Sequence, residues 1–88
     1  MNNERRKEIQ AIIAEVQGLA DIISNLQERV ENVRDEEQEY FDNMPESFQQ
    51  SERGYRAEEA VGQLEEAISE LENIAIDNIV GSLESAGE

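Results

Sequence analysis

Apolar residues in the first part of the chain recur at alternating steps of three and four, in two parallel rows. These rows are Ile9, Val16, Ile23 and Val30, and Ile12, Leu19, Leu26 and Val33. The spacing is that of the a and d positions of a heptad, which is typical of a helix that packs along a narrow seam. The pattern predicts a helix over residues 3–42, roughly 60 Å long at 1.5 Å per residue.

The pattern stops at the single proline of the chain. Pro45 biases Met44 away from helical geometry, and Asn43 followed three residues later by Glu46 has the spacing of a capping box. We therefore expect a tip over residues 43–50 that contains a short helical turn. Ser51 is a candidate N-cap for the helix that follows.

A second helical stripe occupies the rest of the chain. It consists of Val61, Leu64, Ile68, Leu71 and Ala75, and continues to Ile79 and Leu83 by steps of four. The stripe predicts one long helix over residues 51–83, followed by a frayed tail over 84–88.

The two stripes match each other if the chain reverses at the tip. Val30 then lies opposite Leu64, and Ile23 lies opposite Leu71. The sequence therefore predicts an all-α fold, a single domain over residues 1–88 built as an antiparallel, coiled-coil-like hairpin of two helices. Val33 and Leu26 are expected to pack against the second helix as well.

Further apolar residues lie beside the main stripes, toward the open end of the hairpin. They are Ile13, Ile22, Ile76 and Val80. Two helices cannot cover this strip, so we expect it to be the interface of a homodimer that forms a four-helix bundle. Parallel pairing of the two first helices is the rival assembly, and a monomer is the remaining alternative.

Charge divides the chain into two unequal parts. The formal net charge is −15, yet residues 1–34 carry five basic and six acidic groups, whereas residues 35–88 carry two basic and sixteen acidic groups. Such a field repels nucleic acid and anionic membranes and attracts basic protein surfaces. We expect a host protein with a basic surface as the partner, with no direct contact to nucleic acid or membrane.

Acidic and aromatic residues are concentrated around the predicted tip. All four aromatic residues lie between Tyr40 and Tyr55. The carboxylates are either a solvated face or a mimic of a nucleic-acid backbone, and the aromatics are either a small satellite core or contacts for a partner. The candidate partner-binding residues are Glu36, Glu39, Tyr40, Asp42, Met44, Phe48, Glu58, Glu59, Glu65 and Glu66.

The residue inventory argues against catalysis. The chain contains no histidine and no cysteine, so it lacks the usual general bases and thiolate ligands. No calcium-loop spacing is present. We therefore predict no enzyme activity, cofactor or metal. The apolar runs are far shorter than the 18 or so residues of a membrane span, and a cytoplasmic protein is expected.

The tip and the start of the second helix contain recognisable sequence segments. The segments are Asp42-Asn43-Met44-Pro45-Glu46-Ser47, Gln49, Ser51-Glu52-Arg53-Gly54 and the Glu-rich run Glu58–Ile68. Together they resemble small acidic hypothetical proteins of bacteriophages and prophages, over roughly residues 35–72. The resemblance carries no activity and no functional residues. It implies an accessory phage protein that acts in the cytoplasm of a host bacterium.

These observations lead to one functional hypothesis and one alternative. The hypothesis is a phage-type protein that binds and inhibits a host nuclease or defence complex by acidic mimicry of nucleic acid. The alternative is a small coiled-coil structural or assembly protein whose acidity serves solubility only.

Overall fold

The structure, a computed structural model, describes all 88 residues and is entirely helical, with 86% of residues in helices and no strands. The helices are α1 (Asn3–Asp42), α2 (Glu46–Gln49), α3 (Glu52–Glu72) and α4 (Ile76–Ala86). Residues Met1–Asn25 and Ile74–Glu88 form one compact unit, unit 1, and residues Leu26–Asn73 form another, unit 2. The predicted all-α class is confirmed, and the helices are consistent with a hairpin or coiled coil. No helix combines the length and apolar composition that a membrane span requires.

The bounds of α1 agree with the prediction. Asn2 caps its start, because the Asn2 side-chain oxygen accepts a hydrogen bond from the Arg5 N–H at 2.8 Å. At the other end, the N–H of Met44 donates to the carbonyl of Phe41 at 3.1 Å. Pro45 then prevents the helix from continuing.

The tip contains the predicted short helical turn, which is α2. The expected capping box is wrong, since Pro45 is the N-cap residue of α2 and no side chain caps this helix. Instead the carbonyl of Pro45 accepts hydrogen bonds from the N–H groups of Phe48 and Gln49. Ser51 is the N-cap residue of α3 as predicted, although its hydroxyl donates to the carbonyl of Phe48 and leaves the N–H groups of α3 uncapped.

The predicted helix over residues 51–83 is in fact two helices. The N–H of Ile76 donates to the carbonyl of Ile74 at 3.0 Å, and Ala75 between them has φ −87° and ψ 68°. This is an inverse γ-turn, and it separates α3 from α4. The predicted tail also differs, because α4 continues to Ala86.

In unit 2, α3 buries the stripe that the sequence predicts. Ala57, Val61 and Ile68 are buried, and Leu64 and Leu71 are half-buried. The C-terminal part of α1 runs antiparallel to α3: the Gln27 side-chain amide donates to Glu72 at 3.0 Å, whereas Tyr40 lies beside Arg53.

The face that α1 turns toward α3 differs from the prediction. Its half-buried residues include Gln27, Val30, Arg34, Glu37 and Phe41, and Glu31 beside this row is half-buried as well. Leu26 and Val33, which were expected to pack against the second helix, are 39% and 51% exposed. The row that packs in unit 2 therefore combines the a and e positions of the heptad, and the d positions stay at the surface.

In unit 1, two residues that were predicted to form a dimer interface are core residues. Ile13 is 6% and Val80 is 9% exposed within the single chain. The γ-turn restarts the helix at Ile76, so α4 turns Ile76, Val80 and Leu83 inward, and Ile79 is exposed. The Arg6 guanidinium donates to the carbonyl of Gly87 at 3.1 Å, which ties the start of α1 to the end of α4.

The predicted interface strip is thereby divided. Ile13 and Val80 are covered, Ile76 is half-buried, and Ile22 alone among the four is exposed. The strip therefore does not form a continuous accessible surface.

Candidate functional site

The tip carries an open pocket with apolar walls, which we call the tip pocket. Its volume is about 340 Å³. Tyr40 and Phe48 are 47% and 50% exposed, which is high for aromatic side chains. The residues that line the tip pocket are Tyr40, Asn43, Met44, Pro45, Phe48 and Arg53.

Backbone packing, and not the exposed aromatic rings, holds the tip pocket in place. The Gln49 side-chain amide donates to the carbonyl of Phe41 at 3.1 Å, which joins the end of α1 to α2. Gly54 is buried in the first turn of α3, and a Cβ there would lie well under 3.0 Å from backbone atoms of Gln49. Because only glycine allows this approach, α2 and α3 are fixed side by side.

The aromatic residues divide between the two interpretations offered by the sequence. Phe41 and Met44 are half-buried, as in a small satellite core. Tyr40, Phe48 and Tyr55 are exposed. The core interpretation therefore accounts for two of these residues, and the other three are accessible to a partner.

A second open pocket, of about 320 Å³, lies on the other side of Tyr40 and Arg53. It is also lined by Glu37, Ala57 and an exposed ion pair in which Arg56 donates to Glu52 at 2.6 Å. Exposed pairs of this kind contribute little to stability. Tyr40 and Arg53 form the shared wall of both pockets, and they are therefore the residues most central to this surface.

The candidate carboxylates all lie at the surface. Glu36, Glu39 and Asp42 are exposed on α1, and Asp42 accepts a hydrogen bond from Gln38 at 3.0 Å. The exposed candidates on α3 are Glu58, Glu59, Glu65 and Glu66. None of these seven groups is buried, so each is available to a partner.

The number of carboxylates per unit length of α3 can be compared with the number of phosphates per unit length of DNA. Six acidic residues lie between Glu58 and Glu72, a stretch of about 21 Å at 1.5 Å per residue. One negative charge therefore occurs per roughly 3.5 Å, which is close to the ~3.4 Å per phosphate of one DNA strand and about half the density of the duplex.

No group of three or more carboxylates is placed to hold a metal ion. Three residues of the tip pocket were not among the predicted site residues: Asn43, Pro45 and Arg53. Arg53 lies two residues after Ser51, and its position one turn before Ala57 on the α1-facing side of α3 was the signal that could have placed it there.

Comparisons with known proteins add no assignment. Neither a protein-family model, nor a curated protein, nor a solved structure matches this chain.

Proposed function

We propose that this protein acts by binding a basic host protein through the tip pocket and the acidic surface around it, and that it has no catalytic activity. The observation that carries the proposal is the exposure of Tyr40 and Phe48 around an open pocket. Aromatic side chains that remain accessible in an otherwise acidic surface have the composition of an interface hot spot.

The aromatic and acidic parts of the surface have different roles in this proposal. Burial of Tyr40 and Phe48 against the partner provides short-range affinity. Glu36, Glu39 and Asp42 provide long-range attraction, which mainly increases the association rate. Because charge attracts but does not select, the aromatic residues would determine which basic protein is bound.

The partner class that fits best is a protein whose basic groove otherwise holds nucleic acid. The mean linear density of carboxylates on α3 is close to that of the phosphates of a single strand. The resemblance to small acidic phage proteins adds a context, in which the partner is a nuclease or defence complex in the host cytoplasm. The working form is a homodimer in which two hairpins form a four-helix bundle, doubling the number of acidic surfaces.

The proposal is tested by a charge variant that keeps the shape of the tip. Glu36→Gln, Glu39→Gln and Asp42→Asn remove three charges, and the new amide at position 42 keeps an oxygen that can accept from Gln38. Tagged wild-type and variant proteins are used to capture partners from bacterial lysate, and the captured proteins are quantified by mass spectrometry. We expect the variant to recover its partner at least about tenfold less efficiently.

A matched control removes the same charge elsewhere on α1. Glu4→Gln, Glu8→Gln and Asp21→Asn are all exposed and lie far along the helix from the tip. This control should capture as much partner as wild type, and a DNA duplex should displace the captured protein if the groove is shared. Equal capture by the tip variant and the control variant would refute tip docking.

A second candidate function is supported by the exposed apolar residues of α1, such as Leu26 and Val33. These are expected of a coiled-coil assembly protein whose acidity only maintains solubility. Ionic strength separates the two functions. Binding through the acidic tip weakens steeply between about 50 and 300 mM salt, whereas binding through an apolar seam does not.

A further inference from the structure

One side of α1 in unit 2 is apolar and uncovered. Leu26, Val33 and Tyr40 are spaced seven residues apart and are 39%, 51% and 47% exposed. Seven residues are two turns of a helix, so the three side chains lie in one row. We call this row, together with the flanking residues Arg29 and Glu36, the outer face of α1.

Leu26, Val33 and Tyr40 occupy d positions of the heptad, the positions at which a helix packs against a neighbouring helix. In a four-helix bundle each helix contacts two neighbours, and its apolar stripe is wide enough to include a, d and e or g positions. In unit 2 the a and e positions of α1, such as Val30 and Phe41, are already turned toward α3. The d positions are the ones left for a second neighbour.

The outer face also differs from the rest of the surface in charge. Around Leu26 and Val33 the exposed neighbours are Arg29 and Asn32, with no carboxylate until Glu36. The exposed side of α3, by contrast, carries glutamates along its length. Two copies of a chain with a net charge of −15 repel each other over most of their surfaces. That repulsion is weaker at the outer face than along the Glu-rich exposed side of α3.

The chain has enough uncovered surface for such a contact. Its accessible surface is 6591 Å², whereas a folded monomer of 10.0 kDa is expected to expose about 5,200 Å². The excess belongs to the whole chain, and exposed apolar residues of unit 1 such as Leu19 and Ile22 contribute to it as well as the outer face.

We propose that a second copy of this chain packs on the outer face of α1, with the two α1 helices antiparallel and crossing at Val33. Val33 then faces Val33 of the other copy, and Leu26 faces Tyr40. In this register facing positions sum to 66, so Arg29 of each copy comes beside Glu36 and Glu37 of the other, and the basic residue of the face is paired with acidic ones. The contact is isologous and closes the assembly at two chains.

Electrostatics selects the antiparallel orientation. Parallel pairing would place Glu36, Glu39 and Asp42 of both copies side by side. The antiparallel arrangement sets these carboxylates against the part of α1 that carries Arg29 and no acidic residue on its outer face. This interface replaces the strip of Ile13, Ile22, Ile76 and Val80. It shares Tyr40 with the proposed partner-binding surface, so in the dimer Phe48 is the aromatic residue of the tip pocket that remains free to bind the host partner.

The test uses Leu26→Glu combined with Val33→Glu, which leaves Tyr40 and the tip pocket unchanged. Both residues are exposed in the single chain, so the helices should survive, as circular dichroism would confirm. Analytical ultracentrifugation should give wild type twice the 10.0 kDa mass of one chain and the variant a single chain mass. Gln17→Glu with Ser24→Glu adds the same charge at other exposed positions of α1 and should remain dimeric.

Cysteine cross-linking tests the orientation, because the chain has no cysteine of its own. A mixture of Leu26→Cys and Tyr40→Cys chains should form the mixed disulfide, and neither variant alone should cross-link. Cross-linking of each variant with itself would overturn the antiparallel register. A wild-type mass of one chain at all micromolar concentrations, or a dimeric glutamate variant, would overturn the interface itself.

Discussion

Gly54 in α3 lies against the backbone of Gln49 in α2, at a distance that leaves no room for a side chain. Gly54 does not have a positive φ angle, so close approach and not backbone conformation is the reason for glycine here. The same Gln49 donates its side-chain amide to Phe41. One residue of α2 therefore contacts the helices on both sides of it.

A methyl group at position 54 should displace α2 and destabilise the tip. Because the atoms it would meet belong to the backbone of Gln49, they cannot move aside by a rotamer change. We expect Gly54→Ala to lower the free energy of unfolding by about 1–3 kcal/mol, the usual cost of overpacking. Urea denaturation followed by circular dichroism measures this change.

Gly62 provides the matched control in the same helix. A Cβ at Gly62 would have nothing within 4 Å, so Gly62→Ala adds only helix propensity and should stabilise the protein by up to about 1 kcal/mol. Equal effects of the two substitutions would mean that α2 and α3 do not approach each other this closely.

Burial in unit 1 can be checked with two isoleucines. Ile13→Ala should cost about 2–5 kcal/mol because it empties a buried site. Ile79→Ala removes the same atoms from an exposed site on α4 and should change stability by less than about 1 kcal/mol. Thermal unfolding of both variants measures the difference, and a larger cost for Ile79→Ala would place the core on the other side of α4.

Because the helix is broken between α3 and α4, we expect proline to be tolerated at position 75. Ala75 has φ −87°, close to the angle that proline requires. Ala75→Pro should therefore change the free energy of unfolding by less than about 1 kcal/mol. Gln63→Pro, in the interior of α3, should cost about 3 kcal/mol or more. Similar losses in the two variants would indicate a continuous helix through position 75.

Salt should stabilise this protein. Repulsion among 22 acidic groups, with only seven basic ones to offset it, is screened as ionic strength rises. The ion pair Arg56–Glu52 is largely exposed and loses little from screening, and in the pair Arg34–Asp35 the aspartate is exposed whereas the arginine is half-buried. We expect the Tm to rise between about 10 mM and 0.5 M NaCl, as measured by calorimetry. A falling Tm would mean that attractive pairs outweigh the repulsion.

Heptad periodicity was sufficient to predict α1, the short turn in the tip and the buried stripe of α3. These elements depend on local spacing and on Pro45, both of which are visible in the sequence. The break at Ala75 was not predictable in this way. No glycine or proline lies at the break. The apolar residues from Leu71 to Leu83 recur every four positions, which is the spacing expected of one continuous helix.

That missed break accounts for the misplacement of Ile76 and Val80 in the predicted dimer interface. A continuous helix would have turned Ala75 and Ile79 inward and left Ile76 and Val80 outside. The γ-turn shifts the inward row by one residue. The choice between the d and e positions of α1 also lay beyond sequence reasoning, because both flank the same a position and only packing against α3 distinguishes them.

The positions of the two tyrosines determine which part of the protein intrinsic fluorescence reports on. The chain has no tryptophan, and its two tyrosines, Tyr40 and Tyr55, both lie in unit 2 near the tip. Intrinsic fluorescence therefore reports on the tip alone, whereas circular dichroism reports on every helix. A partner that docks there would change tyrosine emission without any added label, and melting of unit 1 would be silent in that signal.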